Sequence, residues 1–254
     1  MSLIAFAAPL VILGGCSMRK ADFSGQRTSQ ISAKGATLLK LDVGAGYLRV
    51  DGHRGAAEVV TTGVAHAASL QALDAVQIVT SRVGDTIFVK CVIPPRTDTT
   101  TAGASLDVDV QVPSTLALDV IDSTGESVFR NTAAIRIVHG EGGLNVDSVS
   151  GNLDITDGGG DMILSHVNGD VNVVDASGSI YVSRVTGSVR IPRAGSGEIQ
   201  AVGIAGDLIV GAKRSGEVAA RQIGGSLSVR AKGSGSIEYR GVSGNVSLPA
   251  GEYH

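Results

Sequence analysis

Histidines, cysteines and a run of aspartates are the residues of this chain whose types could do chemistry, and their spacing argues against most of it. His53, His66, His139, His166 and His254 share no H-x-x-x-H interval, so no pair is set to ligate zinc from one helix face, and they read as separate surface residues. No G-x-S-x-G elbow occurs, and the Gly-rich stretches at Gly140-Glu141-Gly142-Gly143 and Gly158-Gly159-Gly160 lead into no helix pattern that could seat a phosphate. Asp157-Gly158-Gly159-Gly160-Asp161 has the oxygen-rich composition of a calcium-binding turn, but it occurs once, and an ordinary tight turn is the plainer reading. Sugar cleavage needs clustered carboxylates beside aromatic subsites, and this chain has 3% aromatics and no tryptophan. The sequence therefore predicts no catalytic residue, no cofactor and no metal, and a formal charge of −3 gives no reason to expect a nucleic-acid partner.

The two cysteines have different settings. Leu3 to Leu13 form an uncharged apolar run with the length of a signal-peptide core, too short to cross a bilayer. Leu13-Gly14-Gly15-Cys16 follows and resembles the bacterial lipobox, which makes Cys16 the expected point of lipid attachment and the membrane an expected partner through that lipid. No Lys or Arg precedes the apolar run, a departure from the usual signal peptide. Ser17, rather than Asp, leans toward the outer membrane where a cell has two. Cys91 sits in Thr86-Ile87-Phe88-Val89-Lys90-Cys91-Val92 on the face of Ile87 and Val89, the place of a small buried hydrophobe.

A repeat organises the rest. Gly142, Gly160, Gly178, Gly197, Gly216 and Gly235 recur every 18 or 19 residues, and nine residues after each stands a second glycine, Gly151 through Gly244. Apolar residues fall two and four places after each glycine, the period-2 signature of strands with one buried face. Leu144, Met162, Ile180, Ile199, Val218 and Ile237 form one column, and Val146, Leu164, Val182, Ala201, Ala220 and Tyr239 a second. Val149 to Val242, Leu153 to Val246 and Ile155 to Leu248 supply three more, so each repeat has five inward positions. A unit this short holds no βαβ crossover and shows no helical period. It predicts an all-β fold, a parallel β-solenoid (single-stranded β-helix) of 18–19-residue coils stacked about 4.8 Å apart, with glycine at each corner for its tolerance of positive φ.

The expected organisation is a signal peptide over residues 1–16, a tether over 17–34 and a solenoid over 35–254, with irregular strands over 35–141 and regular repeats over 142–254. Ser69 to Val76 reads as one or two helical turns, and Pro94 to Thr101 as an exposed loop. Charge is polarised along the repeats. Asp147, Asp154, Asp157, Asp161, Asp170 and Asp175 come first, without Lys or Arg, and from Gly178 onward nine basic residues stand against five acidic ones. Lys213 and Lys232 occupy equivalent repeat positions with Arg193 nearly so, and Arg221 and Arg240 form a second stacked pair. These five could contact an anionic envelope polymer or support self-association, or simply keep a solvated face.

From about Lys34 onward, the early Gly-bounded strands, Val112-Pro113-Ser114-Thr115-Leu116-Ala117-Leu118 and the Gly-x-apolar-x-apolar series resemble the putative-adhesin family of bacterial envelope proteins. That resemblance implies a β-helical surface or periplasmic domain with no catalytic residues to carry over. The leading expectation is a non-enzymatic, lipid-anchored envelope protein serving adhesion, scaffolding or envelope-stress signalling. A polymer-forming solenoid similar to bacterial cytoskeletal filament proteins is the alternative, and polysaccharide cleavage a third reading that rests on architecture alone.

Overall fold

The computed structural model describes residues 23–95 and 103–250. Its strands are β1 (Phe23–Ser32), β2 (Leu38–Ala45), β3 (Leu48–His53), β4 (Glu58–Ala67), β5 (Gln77–Val83), β6 (Thr86–Val92), β7 (Ser105–Pro113) and β8 (Ala117–Thr124). Then come β9 (Ser127–Thr132), β10 (Ile135–Glu141), β11 (Leu144–Val149), β12 (Leu153–Gly159), β13 (Met162–Val167), β14 (Val171–Asp175) and β15 (Ile180–Val185). The series ends with β16 (Val189–Ala194), β17 (Ile199–Ile204), β18 (Leu208–Ser215), β19 (Val218–Ile223), β20 (Leu227–Ser234), β21 (Ile237–Val242) and β22 (Val246–Ser247). One short helix, α1 (Leu70–Ala75), interrupts them, capped by the Ser69 hydroxyl accepting from the Ala72 N–H.

Seven coils run in chain order from β8 to β21, each giving one strand to each of two 11-stranded sheets. The predicted columns are the observed register: Leu153 pairs with Val171, Met162 with Ile180, and Ile199 with Val218. Burial follows, with Val146, Leu164, Val182, Ala201 and Ala220 all sealed in one core. The change from 18 to 19 residues has a local cause. The register between β14 and β16 shifts after Asn172, so that Val174 lies beside Arg193, and Pro192, which has no N–H to give a ladder, stands at that bulge.

The two sets of glycines answer different needs. Gly160 has φ +124°, and a Cβ there would lie 1.8 Å from the carbonyl oxygen of Gly142 one coil below. The same stacking runs from Gly125 through Gly235, so this corner admits no side chain. The second glycines were expected to need positive φ as well, and they do not. At Gly169 the constraint is crowding alone, since a Cβ would meet the Gly151 carbonyl oxygen at 2.6 Å. The residue after each second glycine ties coil to coil through its side chain. Asn152 Oδ1 accepts from the Asp170 N–H (3.0 Å), Asp170 Oδ1 from Ser188 (2.8 Å), Ser188 Oγ from Asp207 (3.1 Å) and Asp207 Oδ1 from Ser226 (2.7 Å).

Upstream the strands are regular but shuffled. β2 lies between β6 and β8, and β3 between β7 and β9, all parallel, so the first coil is sandwiched between two that come later in the chain. Residues 17–34 were expected to be a tether. Instead Phe23–Ser32 is a strand, antiparallel to β4 over its whole length, because its half-polar alternation suits a sheet edge with one face wet. β1, β4, β5 and α1 close this end of the solenoid. The Arg27 guanidinium donates to the carbonyls of Leu73 and Val76 (2.6 Å each), and Ser29 bonds Thr80 from one sheet to the other. Cys16 and the signal segment lie outside the described residues, as do residues 96–101 of the expected loop.

Candidate functional site: a polar column inside the solenoid and a groove outside it

Alternation in the second sheet does not stop at the fifth inward position. It continues to a sixth, and this one is polar. In register across β8, β10, β12 and β14 stand Asp122, His139, Asp157 and Asp175, and Ala194, Lys213 and Lys232 follow at the same position in β16, β18 and β20. Asp122, His139, Asp157, Asp175 and Lys213 are buried. His139, expected on the surface, is therefore a core residue, because Ile135 and Ile137 set the inward phase and His139 continues it.

The contacts are specific. His139 Nδ1–H donates to Asp157 Oδ1 (2.7 Å), while its Nε2 faces the Gly125 carbonyl oxygen (3.2 Å) and Asp122 Oδ2 (3.6 Å). Both ring nitrogens thus face acceptors, which suits the doubly protonated imidazolium. The hydrogen bond to Asp157 accordingly raises the pKa of His139 against the opposing effect of burial. Burial pushes Asp122 up despite the Ser127 hydroxyl that bonds it, and burial beside Asp157 pushes Asp175 up to about 6. Asp122 Oδ1, Asp157 Oδ2 and Asp175 Oδ2 are enclosed without a hydrogen-bond partner. Lys213 donates to the Gly197 carbonyl oxygen, and burial lowers its pKa, partly offset by Asp175 and Glu198.

This column changes how the predicted site residues are placed. Lys213, expected to contact a polyanion, is 4% exposed and points into the core, so it offers no surface charge. Lys232 pairs with Lys213 in register. Arg193 is exposed but stands beside Ala212, one residue off that column, on the sheet opposite to Arg221 and Arg240. Arg221 and Arg240 are neighbours in register and both exposed. The five residues do not form one basic face. The acidic end is likewise diluted: Asp157 and Asp175 are internal, Asp161 and Asp170 cap backbone N–H groups of the next coil, and Asp154 remains exposed. Asp157 and Asp161 point to different sides and cannot share a calcium ion. No cluster of three or more His, Cys, Asp or Glu among the described residues is placed to hold a metal. Cys91 is 6% exposed and its thiol is pushed up to about 12 by burial, with Asp42 and Asp122 adding to the effect.

Outside, the other sheet bends at a column of left-handed residues. Asn131, Ser148, His166, Arg184 and Gln222 have φ between 54° and 61°, and Gly203 (φ 70°) and Gly241 (φ 69°) occupy the same position. Each breaks the ladder for one residue and turns the strand so that Val149, Val167 or Val185 can face inward. Side chains at this strained corner carry a cost that glycine does not, of about 1–2 kcal/mol before the entropy of glycine is counted. Gln222→Gly is therefore expected to raise stability by about 0.5–1 kcal/mol, read as a rise of roughly 1–4 °C in Tm. A fall in Tm would show that the glutamine side chain holds the corner.

A shallow groove of about 860 Å³ runs beside this column, lined by Arg54, Thr115, Asn131, Ser148, His166 and Asn168 among others. Asp147 Oδ1 accepts from Ser165 Oγ (2.6 Å) and His166 Nδ1 (2.7 Å), and Arg184 Nη1 lies 3.1 Å from His166 Nε2. Burial opposes ionisation of Asp147, but Ser165, His166 and Ser148 together hold it below the ordinary carboxylate value. The groove presents hydroxyls, amides and one guanidinium among apolar lining atoms.

No family model and no curated protein sequence matches the chain. Among solved structures, a putative cell adhesion protein from Clostridium sporogenes is 14% identical with a TM-score of 0.37, over 88% of this chain and 98% of its own. A putative adhesin from Bacteroides fragilis is 14% identical with a TM-score of 0.34, over 87% of this chain and 96% of its own. A putative lipid binding protein from Parabacteroides distasonis is 14% identical with a TM-score of 0.39, over 88% and 97%. At such distances the function has to be argued from the residues of this chain.

Proposed function

We propose that this chain is a non-enzymatic, lipid-anchored protein of the bacterial cell envelope whose β-solenoid presents an adhesin-like or scaffolding surface. The observation that carries this reading is the direction of its reactive side chains. The ionisable cluster of Asp122, His139, Asp157, Asp175 and Lys213 faces inward, where no substrate reaches it, and the outer groove pairs its one histidine with Asp147 and Arg184. Support for the anchor comes from Leu13-Gly14-Gly15-Cys16 and from the start of β1 at Phe23. Residues 17–22 reach at most about 20 Å, which would hold the closed end of the solenoid beside the bilayer. Exposed Arg221 and Arg240 then offer a contact for anionic envelope polymers.

The test is metabolic labelling with an alkyne fatty acid in a bacterial host, followed by membrane fractionation. The expected result is a labelled chain in the membrane fraction that loses both label and membrane association on Cys16→Ser. An unlabelled chain in the cytosol would overturn the proposal.

A further inference from the structure

The two ends of the solenoid differ. At the first, antiparallel β1, β4 and β5 with α1 cover the stack. At the other, the last described strands are β21 and β22, and inward positions sealed in every earlier coil become open. Tyr239 is 40% exposed although Val146, Leu164, Val182, Ala201 and Ala220 beneath it are at most 1% exposed, and Val246 is 38% exposed above Leu227 and Leu208 at 0%. The Val218 N–H reaches up to the Ser236 carbonyl, as Ile199 does to Glu217, so the same pattern leaves Ile237 and Tyr239 with their backbone groups aimed off the end. The other sheet is blunted there, since β22 has two residues and Pro249 follows. Among the described residues, the strand edge open to pairing at this end is therefore β21.

We infer that β21 pairs with β21 of a second copy, antiparallel and end to end, to give a closed two-fold dimer. The sequence of β21 is self-complementary in one register. Centring the two-fold axis on Tyr239 places Glu238 opposite Arg240 of the other copy, twice, and lets the two Tyr239 residues exchange both backbone hydrogen bonds while their rings cover each other's open core. Moving the axis by one residue, onto Glu238, sets like charge against like. The arrangement is isologous and closes on itself. Filament growth is blocked at the opposite end, where β1 and β5 run antiparallel to the parallel stack and α1 packs on them.

The test uses the full chain carrying Cys16→Ser, so that no lipid contributes, in sedimentation equilibrium over a concentration series. A monomer–dimer equilibrium is expected. Glu238→Arg alone and Arg240→Glu alone should each weaken it about tenfold, because each turns both cross-strand pairs into repulsions. Combining the two substitutions exchanges the charges and should restore the dimer. Circular dichroism melts of each variant separate lost pairing from lost folding. Monomers at every concentration would overturn the inference, as would head-to-tail oligomers or a doubly substituted chain no better than the single ones. None of these results bears on fatty acylation of Cys16, so this inference and the proposed function fail separately.

Discussion

Gly160→Ala is expected to disrupt the stack of regular coils. The added methyl would lie 1.8 Å from the Gly142 carbonyl oxygen and 2.6 Å from its carbon, both backbone atoms held by the coil beneath. Neither can move without shifting a column in which Gly178 repeats the same contact on Gly160 at 1.9 Å. The residue also sits at φ +124°, a conformation that L side chains rarely adopt. Steric overlap and backbone strain together place the loss above about 4 kcal/mol, a fall in Tm of more than roughly 8 °C or failure to accumulate as folded protein. Gly143→Ala is the matched control, since its added methyl meets nothing closer than 3.7 Å, the flexible Glu126 side chain. It should change stability by less than about 0.5 kcal/mol. Equal effects at the two positions would remove the explanation offered for the glycine column.

His139→Leu should cost about 3–5 kcal/mol at pH 6, where the imidazolium contributes fully, because it strips Asp122 and Asp157 of the cation between them. The loss should shrink as pH rises through the folded pKa of His139, where the cation is lost from the unsubstituted chain too. The unsubstituted chain has its own pH signature. His139 has a folded pKa above its unfolded value of about 6.5, so its contribution is complete below that value and disappears as pH rises through the folded pKa. Asp175, at about 6 when folded against 3.8, binds its proton more tightly in the native state. Stability from that group therefore falls as pH rises from about 4 to about 6, by on the order of 3 kcal/mol in all. Asp122 acts in the same direction. Asp85 and Asp147 act in the opposite one, but both are exposed enough for solvent to screen them. Urea unfolding should thus show greater stability at pH 5 than at pH 8, and Asp175→Asn should flatten the slope. Stability that climbs from pH 5 to pH 8 in the unsubstituted chain would refute this account.

The regular coils were legible because each of their determinants repeats at fixed spacing: corner glycine, alternating aliphatics and second glycine. The polar column was present in the same alternation. Leu153, Ile155 and Asp157 are evenly spaced, as are Val171, Val173 and Asp175, but a search for apolar columns ends at the first charge. Following the phase of the strand rather than the hydrophobicity of its residues would have found Asp122 and His139, whereas Lys213 stands three residues after Val210, past the extra residue of its coil, and strict alternation points to Ala212 instead. Gly125 belongs to the corner column and precedes Gly142 by 17 residues, one short of the period, so spacing alone hid it. Strand order near the start was not legible at all. Leu39, Leu41 and Val43 alternate as Leu118 and Val120 do, and alternation gives the facing of a strand without naming its neighbour.

That strand order has a consequence for synthesis. A chain delivered N-terminus first cannot close its opening coil as it emerges, because β2 and β3 acquire partners only when β6 to β9 follow, through Thr132. About half the polypeptide must emerge before the first coil is flanked on both sides in both sheets, although β1 pairs with β4 and β2 with β6 earlier, while each later coil needs only the one before it. Pairing between strands distant in the chain comes first and neighbour-on-neighbour stacking after it, so assembly is expected to be slow to begin and rapid to continue.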